Sequence, residues 1–195
     1  MSPLLLVISG PSGAGKDAVI ARVREALPKA HFAVTATTRP PRPGEREGVD
    51  YHFVSDAEYD GLLAEDGFLE HADVYTHRYG VPKAGVREAL SRGQDVIVRV
   101  DVQGAATIKR LVPGAVLIFL APGSTEELEE RLRARATDEG AELRVRMDTA
   151  AREMALRATF DYVVTNADGQ LDDAVSQILA VVAAEKRRRR RPLHI

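Results

Sequence analysis

The chain has 195 residues, 45% of them hydrophobic, and a formal net charge of −2, which fits one compact domain and argues against wholesale disorder. It contains no cysteine, which excludes disulfides, thiolate metal sites and thiol catalysis. The early apolar run at residues 4–8 is far shorter than the roughly 20 residues of a spanning helix and lacks the basic start of a secretory signal. We therefore expect a cytoplasmic protein without a membrane anchor.

Six consecutive cations, residues 186–191, make the end of the chain basic and leave its body acidic. We interpret this run as a solvated terminus. Nucleic-acid contact is the alternative, but no aromatic residue interleaves the arginines to stack on bases, so we do not expect it.

The first elements predict the opening of an α/β fold. Residues 2–9 form a short, continuous apolar run typical of a buried parallel strand. A glycine-rich loop follows at 10–15, and residues 17–27 predict a helix that ends before Pro28. Strand, glycine loop and helix in this order are typical of nucleotide-binding folds.

The middle of the chain has a different texture. Short strands are predicted at 32–38 and 51–54, on either side of a polar, proline-rich loop, and a helix follows at 56–65. We expect this part to leave the main sheet.

The second half alternates strands and helices again. The predicted strands are 95–100, 115–121 and 162–165, and the predicted helices are 86–92, 125–135, 142–158 and 171–186. A Ser124–Glu127 pair resembles a capping box at the start of the helix at 125–135, and residues 137–142 form a polar connection. This alternation predicts a mostly parallel sheet with helices on both faces.

The glycine-rich loop matches the first seven positions of the P-loop pattern, which are Gly10, Pro11, Ser12, Gly13, Ala14, Gly15 and Lys16. Glycines let backbone N–H groups converge on a phosphate, and Lys16 supplies a charge for the β- and γ-phosphates of ATP. The alternative is a glycine-rich turn with an exposed lysine.

Asp17 occupies the eighth position, where the pattern has a serine or threonine that binds Mg²⁺. A carboxylate is also a good Mg²⁺ ligand. Asp17 can equally serve to stabilise the first helical turn, and both interpretations stay open.

A second anion site is predicted by Arg39 and Arg42, three residues apart and held by the prolines of the loop. Arginine forks match phosphate oxygens in two places at once, and the Tyr51 hydroxyl adds a third donor. This clamp is separate from the P-loop and indicates a second phosphorylated substrate.

Here the sequence resembles the guanylate kinase family. The stretch at 35–51 carries its Thr-Thr-Arg-x-Pro-Arg-x-Gly-Glu pattern, and further motifs follow in order: Gly67-Phe68-Leu69-Glu70, Tyr79-Gly80, Asp101-Val102-Gln103-Gly104, Arg131-Leu132 and Asn166. The resemblance extends to about residue 186. It implies a P-loop NTPase fold, ATP with Mg²⁺ as phosphoryl donor, and GMP or dGMP as acceptor.

The resemblance also implies residue roles. Glu70 is expected to read the guanine base, with Thr35 in the place of a family serine. The GMP phosphate is expected at Arg39, Arg42, Tyr51 and Tyr79, and the rest of that site at Glu45, Gly80 and Asp101.

The transfer machinery is expected to combine Lys16 and Asp101 with arginines of a lid, namely Arg131, Arg135 and Arg146. Asn166 is expected near the adenine end, although an ordinary turn residue is an equal alternative. The resemblance divides the chain into a core (1–34, 84–124 and 147–186), a GMP-binding subdomain (35–83), a lid (125–146) and a basic tail (187–195).

Three positions depart from the common family pattern. Val81 replaces a hydroxyl residue, Arg99 replaces an aspartate, and Asp17 replaces the P-loop hydroxyl. Because Arg99 and Asp101 share one face of a strand, we expect them to pair. Together these departures resemble the plant-organelle branch and some bacterial members.

Two other functions remain as alternatives. The first is a P-loop kinase for another nucleoside monophosphate, against which Glu70 and the arginine segment argue. The second is a non-catalytic protein-binding module, against which the intact Gly15-Lys16 argues. We expect a monomer or a weak homodimer.

Overall fold

A computed structural model describes residues 2–74, 76–135, 141–188, 193 and 195. The strands are β1 (Leu5–Ser9), β2 (His31–Phe32), β3 (Ala36–Thr37), β4 (His52–Phe53), β5 (Phe68–Val74), β6 (His77–Pro82), β7 (Val96–Arg99), β8 (Val116–Pro122) and β9 (Tyr162–Asn166). The helices are α1 (Lys16–Ala26), α2 (Asp56–Ala64), α3 (Lys83–Ser91), α4 (Val102–Leu111), α5 (Thr125–Arg135), α6 (Ala141–Ala155) and α7 (Leu171–Arg187), and a short 3-10 helix, Leu156–Thr159, precedes β9.

The main sheet has five parallel strands in the order β2-β7-β1-β8-β9. Its central strand β1 is buried along its whole length, which explains the unbroken apolar run. Helices α1 and α7 pack on one face through Val19, Val23 and Ile178, while α3 and α4 pack on the other through Val86 and Ile108. The predicted α/β fold, mostly parallel with helices on both faces, is confirmed.

The connection after β1 leads to β2 on one side of the sheet, and the connection after the neighbouring β7 leads to β8 on the other side, so the strand order reverses between β1 and β7. The P-loop follows β1, and Asp101 follows the neighbouring β7. The carboxyl ends of parallel strands at such a reversal form the usual ligand crevice of open α/β sheets. The fold therefore places both predicted site segments at one edge.

A second, four-stranded sheet, in the order β4-β3-β6-β5, forms with α2 what we call the small lobe, residues 36–82. Its own core contains Ala36, Tyr59 and Phe68. Helix α2 begins with a full capping box, in which the Glu58 N–H donates to Ser55 Oγ (3.2 Å) and the Ser55 N–H donates to Glu58 Oε2 (2.7 Å).

Several predicted elements differ from the structure. The predicted strand at 32–38 is two strands in different sheets, β2 and β3, because the chain leaves the main sheet between them. Helix α4 and the β5–β6 hairpin were not predicted. The capping box at Ser124 is only half formed, since the Glu127 carboxylate accepts from the Gly123 N–H instead (3.2 Å).

The predicted connection at 137–142 lies largely outside the described residues, as does much of the basic tail. Within the part of the chain that is described, no helix is long and apolar enough to cross a membrane.

Candidate active site

The P-loop wraps around the side chain of Lys16, the first residue of α1. Its Nζ donates to the carbonyl oxygens of Gly10 (2.6 Å) and Pro11 (2.9 Å). Burial lowers the pKa of Lys16, and the charge of Glu153 opposes that shift. Its two carbonyl contacts hold the ammonium at the mouth of the loop, within reach of a phosphate bound there.

Glu153 of α6 was not predicted as part of this site. Its Oε2 accepts a hydrogen bond from the Ser12 N–H (3.2 Å), one of the loop N–H groups that such a loop offers to phosphate. Burial raises the pKa of Glu153. No motif marks this glutamate, since it lies 141 residues from Ser12 in the chain.

Asn166 braces the loop from the other side. Its Nδ2 donates to the Ala14 carbonyl oxygen (2.8 Å), and the side chain is buried at the end of β9. Gly15 has a positive φ of 84°, and a Cβ there would lie 2.4 Å from Asn166 Nδ2. Glycine is therefore required at this position for both backbone and packing reasons.

Arg131 of α5 joins this group. Its Nη2 donates to the Asn166 carbonyl oxygen (3.0 Å) and its Nε donates to Asp168 (2.9 Å). A 360 Å³ cleft opens beside Gly13, Arg131 and Asn166. The structure thus brings together the P-loop, Arg131 and Asn166.

The structure gives fewer contacts for Arg135 and Arg146, the other two predicted lid arginines. Arg146 lies half-buried on α6, and the Arg135 side chain lies outside the described residues. Helices α5 and α6 pack together through Leu128, Leu132 and Ala150, so the segments that carry these arginines are neighbours.

The predicted second anion site is built around Arg39, which is only 7% exposed. Its Nη2 donates to Glu45 Oε1 (2.8 Å), while Glu45 Oε2 accepts from the Arg42 backbone N–H (2.8 Å). These hydrogen bonds lower the pKa of Glu45 and raise that of Arg39. Glu45 therefore fixes both the Arg39 side chain and the loop that carries the exposed Arg42.

Two tyrosines complete that site. The Tyr51 ring lies 5.3 Å from Arg39 Cζ and edge-on to Tyr79, with 6.1 Å between the ring centroids. A 610 Å³ cavity is lined by Thr35, Arg42, Glu45 and Tyr51 from this site and by Asp17 and Arg99 from the main domain. Arg42 and Tyr51 of the predicted clamp thus line the same cavity as Asp17 at the start of α1.

Glu70 of β5 lies deeper, 7% exposed, beside the Asp101 carboxylate. Burial, with a smaller contribution from Asp101, raises the pKa of Glu70 to about 7. Among the described residues no hydrogen bond to the Glu70 carboxylate is present, whereas Asp101 accepts from the Gly104 N–H (2.7 Å). A buried carboxylate without a protein donor is suited to accept from a ligand.

The remaining predicted positions lie on or next to strands of the small lobe. Gly80 is buried on β6 opposite Ala36, one strand from Glu70, and Thr35 immediately precedes β3. Val81 pairs with Glu70 across the β5–β6 ladder and is fully buried in the core beneath it. The departure at 81 therefore places an apolar side chain in the core.

One predicted contact is wrong. Arg99 does not pair with Asp101. Its guanidinium contacts the Asp17 carboxylate and donates to the Tyr51 hydroxyl oxygen (3.0 Å). Asp101 follows the strand and caps α4, so its side chain is directed to the helix N-terminus.

These contacts place the residues of the two predicted anion sites in two separate groups, one in the main domain and one in the small lobe. The guanylate kinase family model matches residues 2–185.

This chain belongs to the guanylate kinase family.

Relatives in that family include bacterial and plant-organelle proteins. The chain is 47% identical over 184 residues to a guanylate kinase of Thermus thermophilus, covering 94% of this chain and 81% of the relative. It is 45% identical over 185 residues to guanylate kinase 2, chloroplastic/mitochondrial, of Oryza sativa, covering 94% of this chain and 65% of that protein. The resemblance inferred from the motifs is thus confirmed.

Solved structures agree. A guanylate kinase from Anaplasma phagocytophilum superposes with a TM-score of 0.77 at 29% identity, covering 96% of this chain and 88% of that one. A shikimate kinase from Acinetobacter baumannii, 15% identical with a TM-score of 0.50 over 95% of this chain and 96% of that one, shares the fold alone.

Proposed function

We propose that this chain is an ATP:GMP phosphotransferase, which converts ATP and GMP or dGMP to ADP and the guanosine diphosphate. The observation that carries the proposal is the buried Glu70 carboxylate, which lacks a protein hydrogen-bond donor among the described residues and lies in the lobe that holds Arg39. Guanine offers N1–H and the 2-amino group to a carboxylate, whereas adenine has no such donor pair. Family membership supports the same reaction.

On the donor side, ATP binds with its phosphates in the loop of residues 10–16. The ammonium of Lys16 leaves its two carbonyl contacts for the β- and γ-phosphates, and Ser12 exchanges the Glu153 carboxylate for phosphate oxygen. The adenine end occupies the cleft beside Arg131 and Asn166.

On the acceptor side, the small lobe binds GMP. Arg39, Arg42 and the hydroxyls of Tyr51 and Tyr79 hold its phosphate, with Glu45 keeping Arg39 in place. Glu70 and Thr35 contact the base, Gly80 lines the site, and Asp101 contacts the acceptor from the edge of the main sheet. These assignments follow the family pattern and the grouping of the side chains.

In the transfer step a GMP phosphate oxygen forms a bond to the γ-phosphorus, and the bond from that phosphorus to the β-phosphate oxygen breaks, leaving ADP. The protein contributes position and positive charge and makes no covalent intermediate. Arg131, Arg135 and Arg146 of the lid, residues 125–146, deliver charge on closure, which also excludes water. The small lobe and its neighbours at 35–83 form the GMP-binding subdomain, and the rest of the folded chain is the core.

Mg²⁺ accompanies ATP in this proposal. The described residues contain no cluster of three or more metal-ligating side chains, but the exposed Asp17 carboxylate lies next to the loop. This donor set fits an ion held mainly by phosphate and water with one carboxylate. The chemistry that Mg²⁺ supplies when bound is neutralisation of phosphate charge. A monomer or weak dimer, working in the cytoplasm, completes the proposal.

A coupled ADP-release assay with ATP, Mg²⁺ and GMP, AMP, CMP or UMP tests the function. We expect GMP to be preferred by roughly 10⁴-fold, the discrimination reached by sites that hydrogen-bond a substrate group. Turnover of AMP, CMP or UMP within tenfold of GMP would identify a different monophosphate kinase.

A further inference from the structure

Arg99 connects three parts of the protein at the end of β7. Its side chain is 31% exposed, and it contacts Asp17 at the start of α1 and Tyr51 in the small lobe. The contacts span 82 and 48 residues of sequence, so they join the ATP side of the main domain to the proposed acceptor site. Arg99 was expected to pair with Asp101, and it has no part in the function proposed above.

The direction of the Arg99–Tyr51 hydrogen bond has a chemical consequence. A guanidinium has donors only, so the Tyr51 oxygen accepts at 3.0 Å, and the phenol hydrogen is left to donate to another group. Accepting from a cation also polarises the O–H bond and makes it a better donor. The Tyr51 ring lies beside Arg39 and Tyr79, so this hydroxyl belongs to the group proposed to hold phosphate.

Asp17 balances the charge of Arg99. A carboxylate beside the P-loop repels phosphate, and the guanidinium offsets that repulsion. Both residues depart from the family pattern, one by adding a negative charge and the other by changing a negative charge to a positive one. The two changes in charge have opposite signs, and the two side chains meet in space.

We propose that Arg99 is a positioning residue for the acceptor phosphate. Arg99 orients the Tyr51 hydroxyl, Asp17 neutralises the charge of Arg99, and the two contacts couple the P-loop helix to the small lobe. The proposal rests on the proposed function, because the phosphate in question is that of GMP.

A double-mutant cycle with R99M, Y51F and the double variant tests this proposal. Each single change is expected to raise KM for GMP by about tenfold, the size of one lost hydrogen bond to a charged group, with KM for ATP changed less than about threefold. The double variant is expected to match the worse single variant, because both changes remove one interaction. Losses that multiply to about 100-fold would overturn the proposal.

R99K separates positioning from stability. A lysine keeps the charge opposite Asp17 but has no fork to hold two partners, so we expect the melting temperature to stay near that of the wild type while KM for GMP rises. R92M is the matched control, since Arg92 pairs with Glu88 on the exposed side of α3, and it should leave both KM values unchanged. An unchanged KM for GMP in R99K would contradict the proposal. This test remains available even if R99M fails to fold.

Failure of the proposed function is recognised separately. If the wild-type protein does not phosphorylate GMP, that function is wrong. The same variants are then compared by thermal unfolding without ligand. Shifts in melting temperature that add up for R99M and Y51F would show that Arg99 and Tyr51 are not coupled.

Discussion

Glu70 carries the base specificity in this account, and its burial makes it sensitive to pH. Water does not reach the carboxylate freely, and the Asp101 charge lies nearby, so ionisation is unfavourable until about pH 7. A guanine base that donates to the ionised carboxylate offsets that cost. GMP binding should therefore lower the pKa of Glu70.

We expect the affinity for GMP to rise by up to about tenfold between pH 6 and pH 8, as the ionised fraction of Glu70 increases. The measurement is calorimetric titration of GMP across that range. The GMP phosphate also titrates there, so E70Q is the control, and the wild-type increase should exceed that of E70Q. Parallel pH profiles would contradict the assignment.

The stability of the ligand-free protein should also depend on the ionisation of Glu70, but in the opposite direction, so that it falls as the pH rises. Because burial raises the folded-state pKa above 4.5, protonated Glu70 stabilises the fold, and this contribution is lost as the pH rises from about 4.5 through about 7. Relative to E70Q, the wild-type protein should lose at most about 3 kcal/mol of unfolding free energy over that window, measured by urea denaturation.

At the scale of elements, α4 supports the pocket that we propose for the base. Asp101 caps this helix through the Gly104 N–H, and the first turn packs against β5. A Cβ on Gly104 would lie 2.8 Å from Glu70 Oε2 and 3.0 Å from Val100 Cβ. Glycine at 104 therefore leaves the space that the Glu70 carboxylate occupies.

G104A is expected to displace Glu70 and to lower kcat/KM for GMP by at least about tenfold, since small misplacements at a reacting site are costly. G61A is a matched control, because Gly61 lies in α2 and a Cβ added there would meet nothing within 4 Å. That substitution should stabilise the protein by up to about 1 kcal/mol and leave GMP kinetics unchanged. Equal GMP kinetics in both variants would show that Gly104 has no such role.

The sequence predicted the elements whose signals are local. The apolar run of β1, the glycine loop before α1 and the burial of β8 follow from periodicity and composition. Helix α4 was missed because Gly104, in its first turn, obscures the helical pattern. The β5–β6 hairpin was missed because its polar strands do not alternate clearly.

For the site residues too, the sequence identified those that belong to a local motif and missed contacts between distant segments. Lys16, Arg39 and Glu70 were identified from motifs, and the structure places Lys16 in the P-loop, Arg39 beside Glu45 and Glu70 beside Asp101. The contacts from Arg99 to Asp17 and from Ser12 to Glu153 were not predicted, because they join residues 82 and 141 positions apart. Only the register of the sheet and the packing of α6 bring those residues together.

At the scale of the whole molecule, the two proposed anion sites belong to different lobes, and a third segment carries the arginines proposed to form the lid. Arg131 already contacts the P-loop side through the Asn166 carbonyl oxygen. Arg135 follows one helical turn later on α5, which places both residues on one face of the helix. Closure would bring that face over the phosphates.

We expect R135A to lower kcat by at least about 10² at saturating ATP, the cost of losing a preorganised charge in the transition state. R133A is the control on the same helix, because Arg133 pairs with Glu129 and is 59% exposed. Single-turnover assays would measure both. A loss below tenfold in R135A would remove Arg135 from the transfer step.

The most direct measurement for the whole account is the titration of GMP into protein already saturated with a non-hydrolysable ATP analogue and Mg²⁺. Two separate pockets predict that GMP binds with one-to-one stoichiometry and that the analogue does not displace it. The absence of GMP binding, or competition between the two nucleotides for one site, would contradict the claim of a second nucleotide pocket at Arg39 and Glu70.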